Sequence, residues 1–267
     1  MNGAEEPTLV QWNDAGWVRF GADPAVLRWL ECAMPVARAL SADPRQRARW
    51  LRHGGTWFAG VNLLPNDSAG RVGGSGPLDG AAVAFIRSHL MDDPHWDKAQ
   101  ISVVYPGYPQ QDAGESDAAA RFRRTRDAAH VDGLLPIGPG RRRMLREPHG
   151  FVLGLPMSET GAGASPLVIW EGSHRVMRAA FRARLEGIPP RDWPGVDLTQ
   201  TYHAARRTCF ETCPRRALHA RPGEAYVIHR LALHGVAPWQ DGAEAPPEGR
   251  MIAYFRPELA DPAAWLS

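Results

Sequence analysis

The chain has 267 residues, 44% hydrophobic and 22% charged, with a net charge of +2. This is the composition of a folded chain long enough to bury a core, and it excludes a disordered or collagen-like protein. No run approaches the roughly 20 apolar residues of a membrane helix, and the acidic start MNGAEEPTLVQWND is no secretory signal, so a soluble, cytoplasmic protein is expected.

In chain order, residues 24–51 carry apolar side chains at helical spacing, first PAVLRWLECAMPVARAL and then SADPRQRARWL. RHGGTWFAGVNLLPND runs into SAGRVGGSGP, a Gly-rich loop without the Gly-Lys-Ser/Thr of a phosphate loop. Residues 78–90 predict another helix. From residue 99 the period shortens. AQISVVYP, FVLGLPM (151–157), SPLVIW (165–170), AYVIH (225–229) and RMIAYFR (250–256) are short, turn-bounded runs that predict strands. Two helical inserts interrupt them, 173–187 with Ser173 as N-cap and 197–213 with Asp197 in that role. The expected architecture is mainly β with helices, in a single domain over 1–267. Residues 1–95 form a mainly helical N-terminal elaboration, and 96–260 form a double-stranded β-helix core of the jelly-roll or cupin kind.

Cys32, Cys209 and Cys213 do not make a disulfide framework; Cys209 and Cys213 share a helix face, as buried small residues or, alternatively, as a metal pair. Charge is uneven. Between Arg121 and Arg184 there are twelve arginines against five acids, which gives a solvated basic face or the mouth of a site for an anionic substrate.

Two imidazoles and one carboxylate on one side of a metal leave the other positions open, as non-haem iron chemistry requires. Residues two apart in a strand or turn point the same way, so His-x-Asp supplies two ligands from one segment. The motif occurs twice, as His95-Trp96-Asp97 and His130-Val131-Asp132. The first lies in a polar turn ahead of the core strands. The second lies between the first and second core strands, where ligands converge, and is favoured. His234, in GEAYVIHRLALHGVAPW, is the candidate third ligand; His229 sits within the strand and is expected to pack. His174 is expected to fix the turn that opens the first insert.

Four segments occur in a telling order: AHVDG (129–133), FVLGLPMSETGAGASPLVIWEGSHR (151–175), PGEAYVIHRLALHGVAPW (222–239) and GRMIAYFRP (249–257). With them the chain resembles the phytanoyl-CoA dioxygenase-like branch of the Fe(II)/2-oxoglutarate oxygenases over about residues 99–257. The resemblance implies that His130, Asp132 and His234 are the metal-binding and catalytic residues. It implies 2-oxoglutarate as cosubstrate, with its far carboxylate on Arg250 and with Tyr105, Tyr254 or Ser102 as hydrogen-bond donors. The implied reaction is hydroxylation of a small molecule by O2, releasing succinate and CO2. Asp132 argues against halogenation, because halogenating relatives lack that carboxylate. Two features depart from the family pattern: the separation of 102 positions from Asp132 to His234, and the basic loop LLPIGPGRRRMLREPHG.

Substrate contacts are expected from Arg256, Trp170 and Arg141, with Arg142 and Arg143 adding to an anion preference. For Arg256 a salt bridge at the barrel end is the equal alternative. Two rival functions remain open: a metal-dependent cupin-type enzyme that ignores 2-oxoglutarate, and a non-catalytic module binding nucleic acid through the Arg-rich region. No RNA-binding signature supports the latter, so no nucleic-acid partner is expected.

Overall fold

The structure, a computed structural model, describes residues 6–267. The chain opens with α1 (Pro7–Ala15), β1 (Trp17–Phe20), α2 (Pro24–Ala42) and α3 (Pro44–Trp50). The last two begin on Asp-Pro. Asp23 Oδ1 accepts from Ala25 N at 2.8 Å, and Asp43 Oδ1 from Arg45 N and Gln46 N at 2.8 and 2.9 Å. Each aspartate thus satisfies free first-turn N–H groups, and the proline has none to lose. Asp23 Oδ2 also accepts from Ala81 N at 2.9 Å and so ties α2 to the start of α4 (Ala81–His89). Between α3 and α4 lie two short strands, β2 (Leu51–Arg52) and β3 (Trp57–Phe58).

After β4 (Gln100–Val104) and α5 (Asp117–Thr125) come the hairpin β5 (Leu134–Ile137) and β6 (Arg142–Leu145), then β7 (Phe151–Pro156) and β8 (Leu167–Trp170). The inserts α6 (Ser173–Leu185) and α7 (Thr199–Thr212) precede β9 (Arg215–Leu218), β10 (Ala225–His229), β11 (His234–Val236) and β12 (Arg250–Phe255). The large sheet has the order β1-β10-β7-β12-β4-β3-β2 and the small one β11-β8-β9, with antiparallel pairing throughout. His130 adds a fourth position to the small sheet through its antiparallel bridge to His234. From β4 through His130, β7 and β8, and again through β9, β10, β11 and β12, the chain passes back and forth between the sheets. This winding is a double-stranded β-helix, as the sequence predicts.

Burial follows the strand period. On β12, Met251, Ala253 and Phe255 face the N-terminal helices, where they pack in one core with Trp29, Leu30 and Ile86. Ile252 and Tyr254 face the small sheet and share a second core with Val152, Leu167, Ile169 and Tyr226. With both faces covered, the strand is buried along its whole length. A third core lies under the inserts, where Val168 and Trp170 meet Met177, Phe181, Tyr202 and Cys209.

Alongside their helices the N-terminal 95 residues also carry strands: β1 and the β2–β3 pair extend the large sheet at both edges. Three expectations need correction. Ser173 does not cap α6; Gly172 occupies that place at φ 77°, and the Ser173 hydroxyl instead accepts from Leu233 N at 2.8 Å. The basic loop after Asp132 is partly ordered as the β5–β6 hairpin, because Leu134 and Leu145 pair across it and bury together. Asp197 does not cap α7 either; Leu198 occupies the cap position, and Asp197, one residue earlier, accepts from Thr199 N at 2.9 Å. Among the described residues no helix is long and apolar enough to cross a membrane.

Candidate metal centre

His130 and His234 face each other across the bridge between their segments, with His130 N to His234 O at 2.8 Å and His234 N to His130 O at 3.0 Å. Their rings therefore project to the same side, with centroids 4.7 Å apart. Asp132, two residues beyond His130, turns to that side as well. Its Oδ1 lies 3.2 Å from His130 Nε2 and its Oδ2 3.8 Å from His234 Nε2. One ligand atom from each of the three residues falls within 4.8 Å of the others.

The second ring nitrogens set the tautomers. His130 Nδ1 lies 3.0 Å from Ala128 O, and His234 Nδ1 lies 2.9 Å from Ala232 O. A carbonyl only accepts, so each Nδ1 carries the proton and each Nε2 presents a lone pair toward Asp132. Three acceptors aimed at one point repel unless a cation or a proton lies between them. The group therefore fits a divalent metal, and two imidazoles with one carboxylate suit iron(II). The side chains of His234 and Asp132 are 8% and 11% exposed, that of His130 49%, so the centre opens on the His130 side.

Electrostatics agree with this placement. Burial alone would raise the Asp132 carboxyl, but the Arg256 guanidinium and the two histidines outweigh it and hold it well below the usual range. Burial brings His234 down to about 4 despite Asp132. For His130 burial acts the same way, yet the bond to Asp132 prevails and its pKa is raised. A second trio, His53, Asp112 and Glu115, also converges. There the groups are already engaged: Asp112 accepts from His53 N and Gly54 N, Glu115 is paired with Arg123, and Arg123 Nε meets His53 Nε2 at 3.1 Å. A guanidinium inside the trio takes the place a metal would need.

The centre opens into a cleft of about 650 Å³ including its mouth. Its polar wall is Gln100, Ser102, Tyr254 and Arg256; its apolar wall includes Trp57, Val152, Leu167 and Val236. Trp57 Nε1 donates to Ser102 Oγ at 3.0 Å, and its ring stacks on His53. A second, smaller cavity of about 290 Å³ including its mouth holds Arg250 with Ser158, Thr160, His219 and Tyr226. The two cavities meet at a pair of phenols: Tyr226 lines one, Tyr254 lines the other, and their hydroxyls are 3.0 Å apart. Arg250 is 5% exposed, and its Nη1 is buried without a hydrogen-bond partner.

Of the residues singled out from the sequence, the fold brings His130, Asp132, His234, Tyr254 and Arg256 to one cleft and sets Arg250 behind the phenol pair. Three others do not reach it. Tyr105 follows Val104 on the outward side of β4, where Ile101 and Val103 also point, and its hydroxyl pairs with Arg47. Trp170 is on the outer face of β8 and packs edge-on against Phe210 at 5.2 Å. Arg141 is exposed between β5 and β6 and does not line the cleft. Sequence reasoning missed Gln100 and Tyr226, although the polar Gln100 and Ser102 alternating within QISVV were a usable signal. It also set aside Asp97, whose Oδ1 accepts from Arg256 N at 2.7 Å, while its neighbour His95 is exposed.

No family model matches the chain, and no curated protein matches it in sequence. Among solved structures it is similar to SnoK, a non-haem α-ketoglutarate-dependent carbocyclase of nogalamycin biosynthesis, at 12% identity and a TM-score of 0.49 over 97% of this chain and 85% of that one. It is similar to AviO1 from Streptomyces viridochromogenes Tue57 at 13% identity and 0.49, over 95% of both chains. It is also similar to EctD from S. alaskensis, solved with 2-oxoglutarate and 5-hydroxyectoine, at 14% identity and 0.44 over 97% of this chain and 78% of that one. These likenesses are distant, and the double-stranded β-helix is established by this chain's own strand order.

Proposed function

We propose that this chain is an Fe(II)- and 2-oxoglutarate-dependent dioxygenase that hydroxylates a small molecule. The observation that carries the proposal is the convergence of the His130 and His234 Nε2 lone pairs with the Asp132 carboxylate, open toward one cleft. The buried, unpartnered Nη1 of Arg250 supports the cosubstrate, since a guanidinium in that state calls for an oxyanion. His130, Asp132 and His234 would hold the metal. Arg250, with the Tyr226 and Tyr254 hydroxyls, would hold the far carboxylate of 2-oxoglutarate. Iron with 2-oxoglutarate and O2 supplies an oxidant able to functionalise an unactivated C–H bond, with succinate and CO2 as coproducts. The chain's own part is positioning. The Nδ1–carbonyl bonds keep both imidazoles aimed, and Trp57, Val152, Leu167 and Val236 exclude water from the cleft.

One observation favours a second reading, a metal enzyme on this fold that does not use 2-oxoglutarate: the phenol pair lies between the metal centre and Arg250. A single experiment separates the two. Iron(II) and then 2-oxoglutarate are added without oxygen to metal-free wild type, His234→Ala and Arg250→Ala, and the visible absorption is recorded. The expected result is a weak charge-transfer band that needs both additions and is absent in His234→Ala. Arg250→Ala should require roughly 10- to 100-fold more cosubstrate, the scale of a charge-assisted hydrogen bond. Bound iron with no band in the wild type refutes the role of 2-oxoglutarate.

A further inference from the structure

We propose, resting on the oxygenase reading above, that the substrate carries an oxyanion, a carboxylate in the first instance, and that Arg256 with Gln100 binds it beside the metal. Both side chains line the cleft. The Arg256 side chain is only 15% exposed, and its Nε is buried without a partner. Its guanidinium makes no hydrogen bond among the described residues; its one carboxylate neighbour within 4.0 Å is Asp132, with Nη1 to Oδ2 at 3.6 Å, too long for a hydrogen bond.

The other acids nearby are engaged elsewhere. Asp97 accepts the backbone N–H of Arg256, and Glu147 Oε2 lies 3.3 Å from His149 Nε2. The Gln100 amide likewise makes no side-chain hydrogen bond among the described residues, although Gln100 is 8% exposed. Gln100 stands opposite Tyr254 in the β4–β12 ladder, so the amide, the phenol and the guanidinium lie along one wall. The rest of the lining outside the metal ligands is largely apolar; its hydroxyls are engaged, Ser102 with Trp57 Nε1 and Tyr254 with Tyr226, so a ligand or water is the available acceptor for the amide and the guanidinium.

Buried N–H groups without acceptors are unfavourable, and a planar guanidinium matches the two oxygens of a carboxylate. A metal bound at Asp132 would also draw that carboxylate's charge to itself, leaving Arg256 without its single close counter-charge. The cosubstrate does not fill this role in the reading above, because its far carboxylate belongs to Arg250 at the other end of β12. The substrate's anionic group then lies next to Asp132, and the oxidised carbon is only a few bonds away from it.

The test is a calorimetric titration of the anaerobic Fe(II)·2-oxoglutarate complex with butyrate, butanesulfonate, butyl phosphate, butanamide and butylamine. Wild type, Arg256→Gln, Arg256→Lys and Gln100→Leu are compared, with the charge-transfer band recorded for each. Butyrate is expected to bind wild type and the amide and amine not measurably. Arg256→Gln should weaken butyrate roughly 10- to 100-fold, Arg256→Lys and Gln100→Leu less, with the band retained. Preference for the sulfonate or the phosphate would support the same site with that oxyanion as the substrate's group. Equal butyrate binding by wild type and Arg256→Gln overturns the proposal, as does a large loss of 2-oxoglutarate affinity in Arg256→Gln, which would make this arginine a cosubstrate clamp. Wild type without the band fails the parent reading and removes this one with it.

Discussion

Gly235 tests how tightly the metal centre depends on the contact between β11 and the segment before His130. An alanine Cβ at this position would lie 2.1 Å from Asp127 O and 3.2 Å from Ala129 Cα. An ordinary carbon–oxygen contact is about 3.3 Å, so the two segments would have to part by about 1.2 Å. Asp127 cannot easily yield, because Arg215 holds its carboxylate at 2.7 and 2.9 Å. The bond from Val236 N to Asp127 O, 2.8 Å, would be lost instead, and His234 would move relative to His130 and Asp132. Overpacking costs about 1–3 kcal/mol and the lost bond about 1, for a total of roughly 2–4 kcal/mol. In a chain of this size that lowers Tm by about 5–15 °C. A ligand shift of about 1 Å exceeds the roughly 0.5 Å a metal constellation tolerates, so cobalt(II) or iron(II) affinity should fall at least about tenfold. Thermal melting of the metal-free protein and a metal titration read the two effects. Gly21→Ala, which meets nothing within 4 Å, is the silent control. Wild-type melting and metal affinity in Gly235→Ala would refute the reasoning.

Ser173→Ala removes the acceptor of the buried Leu233 N–H, next to His234, and should destabilise by about 1–3 kcal/mol while loosening metal binding; an unchanged urea midpoint would contradict the assignment. Acid should weaken the metal-free protein. Burial, first among the causes, takes His174 and His234 down to about 4 and His229 well below 6.5. The unfolded chain therefore binds more protons below pH 6.5, and stability falls between about 6.5 and 4, by a few kcal/mol per histidine at most. His130, raised above 6.5, acts oppositely: its contribution is present below 6.5 and lost as pH rises through its folded value. Urea midpoints that stay level from pH 7 to 4.5 would rule this out. Saturating zinc(II) should raise Tm in wild type and leave it unmoved in Asp132→Ala; equal shifts would place the metal elsewhere.

What the sequence determined by itself was the alternation of short buried strands after residue 99, the Asp-Pro helix starts and the order of His130, Asp132 and His234. These are local properties: a period of two, a cap within reach of its own first turn, two ligands two residues apart. The rest was decided by tertiary structure. Period two says that Ile169 and Trp170 face opposite ways, but only the pairing of β8 with β11 and β9 made Ile169 the inner residue and sent Trp170 out toward α7. The same choice sent Tyr105 away from the cleft that Ser102 lines. Where both faces of a strand are buried, as in β12, hydrophobicity does not say which one is the interior. The link from Asp97 to Arg256, 159 residues apart, and from Ser173 to Leu233, 60 apart, was equally invisible locally, because each contact exists only after strands distant in the chain have paired, β4 with β12 and β8 with β11.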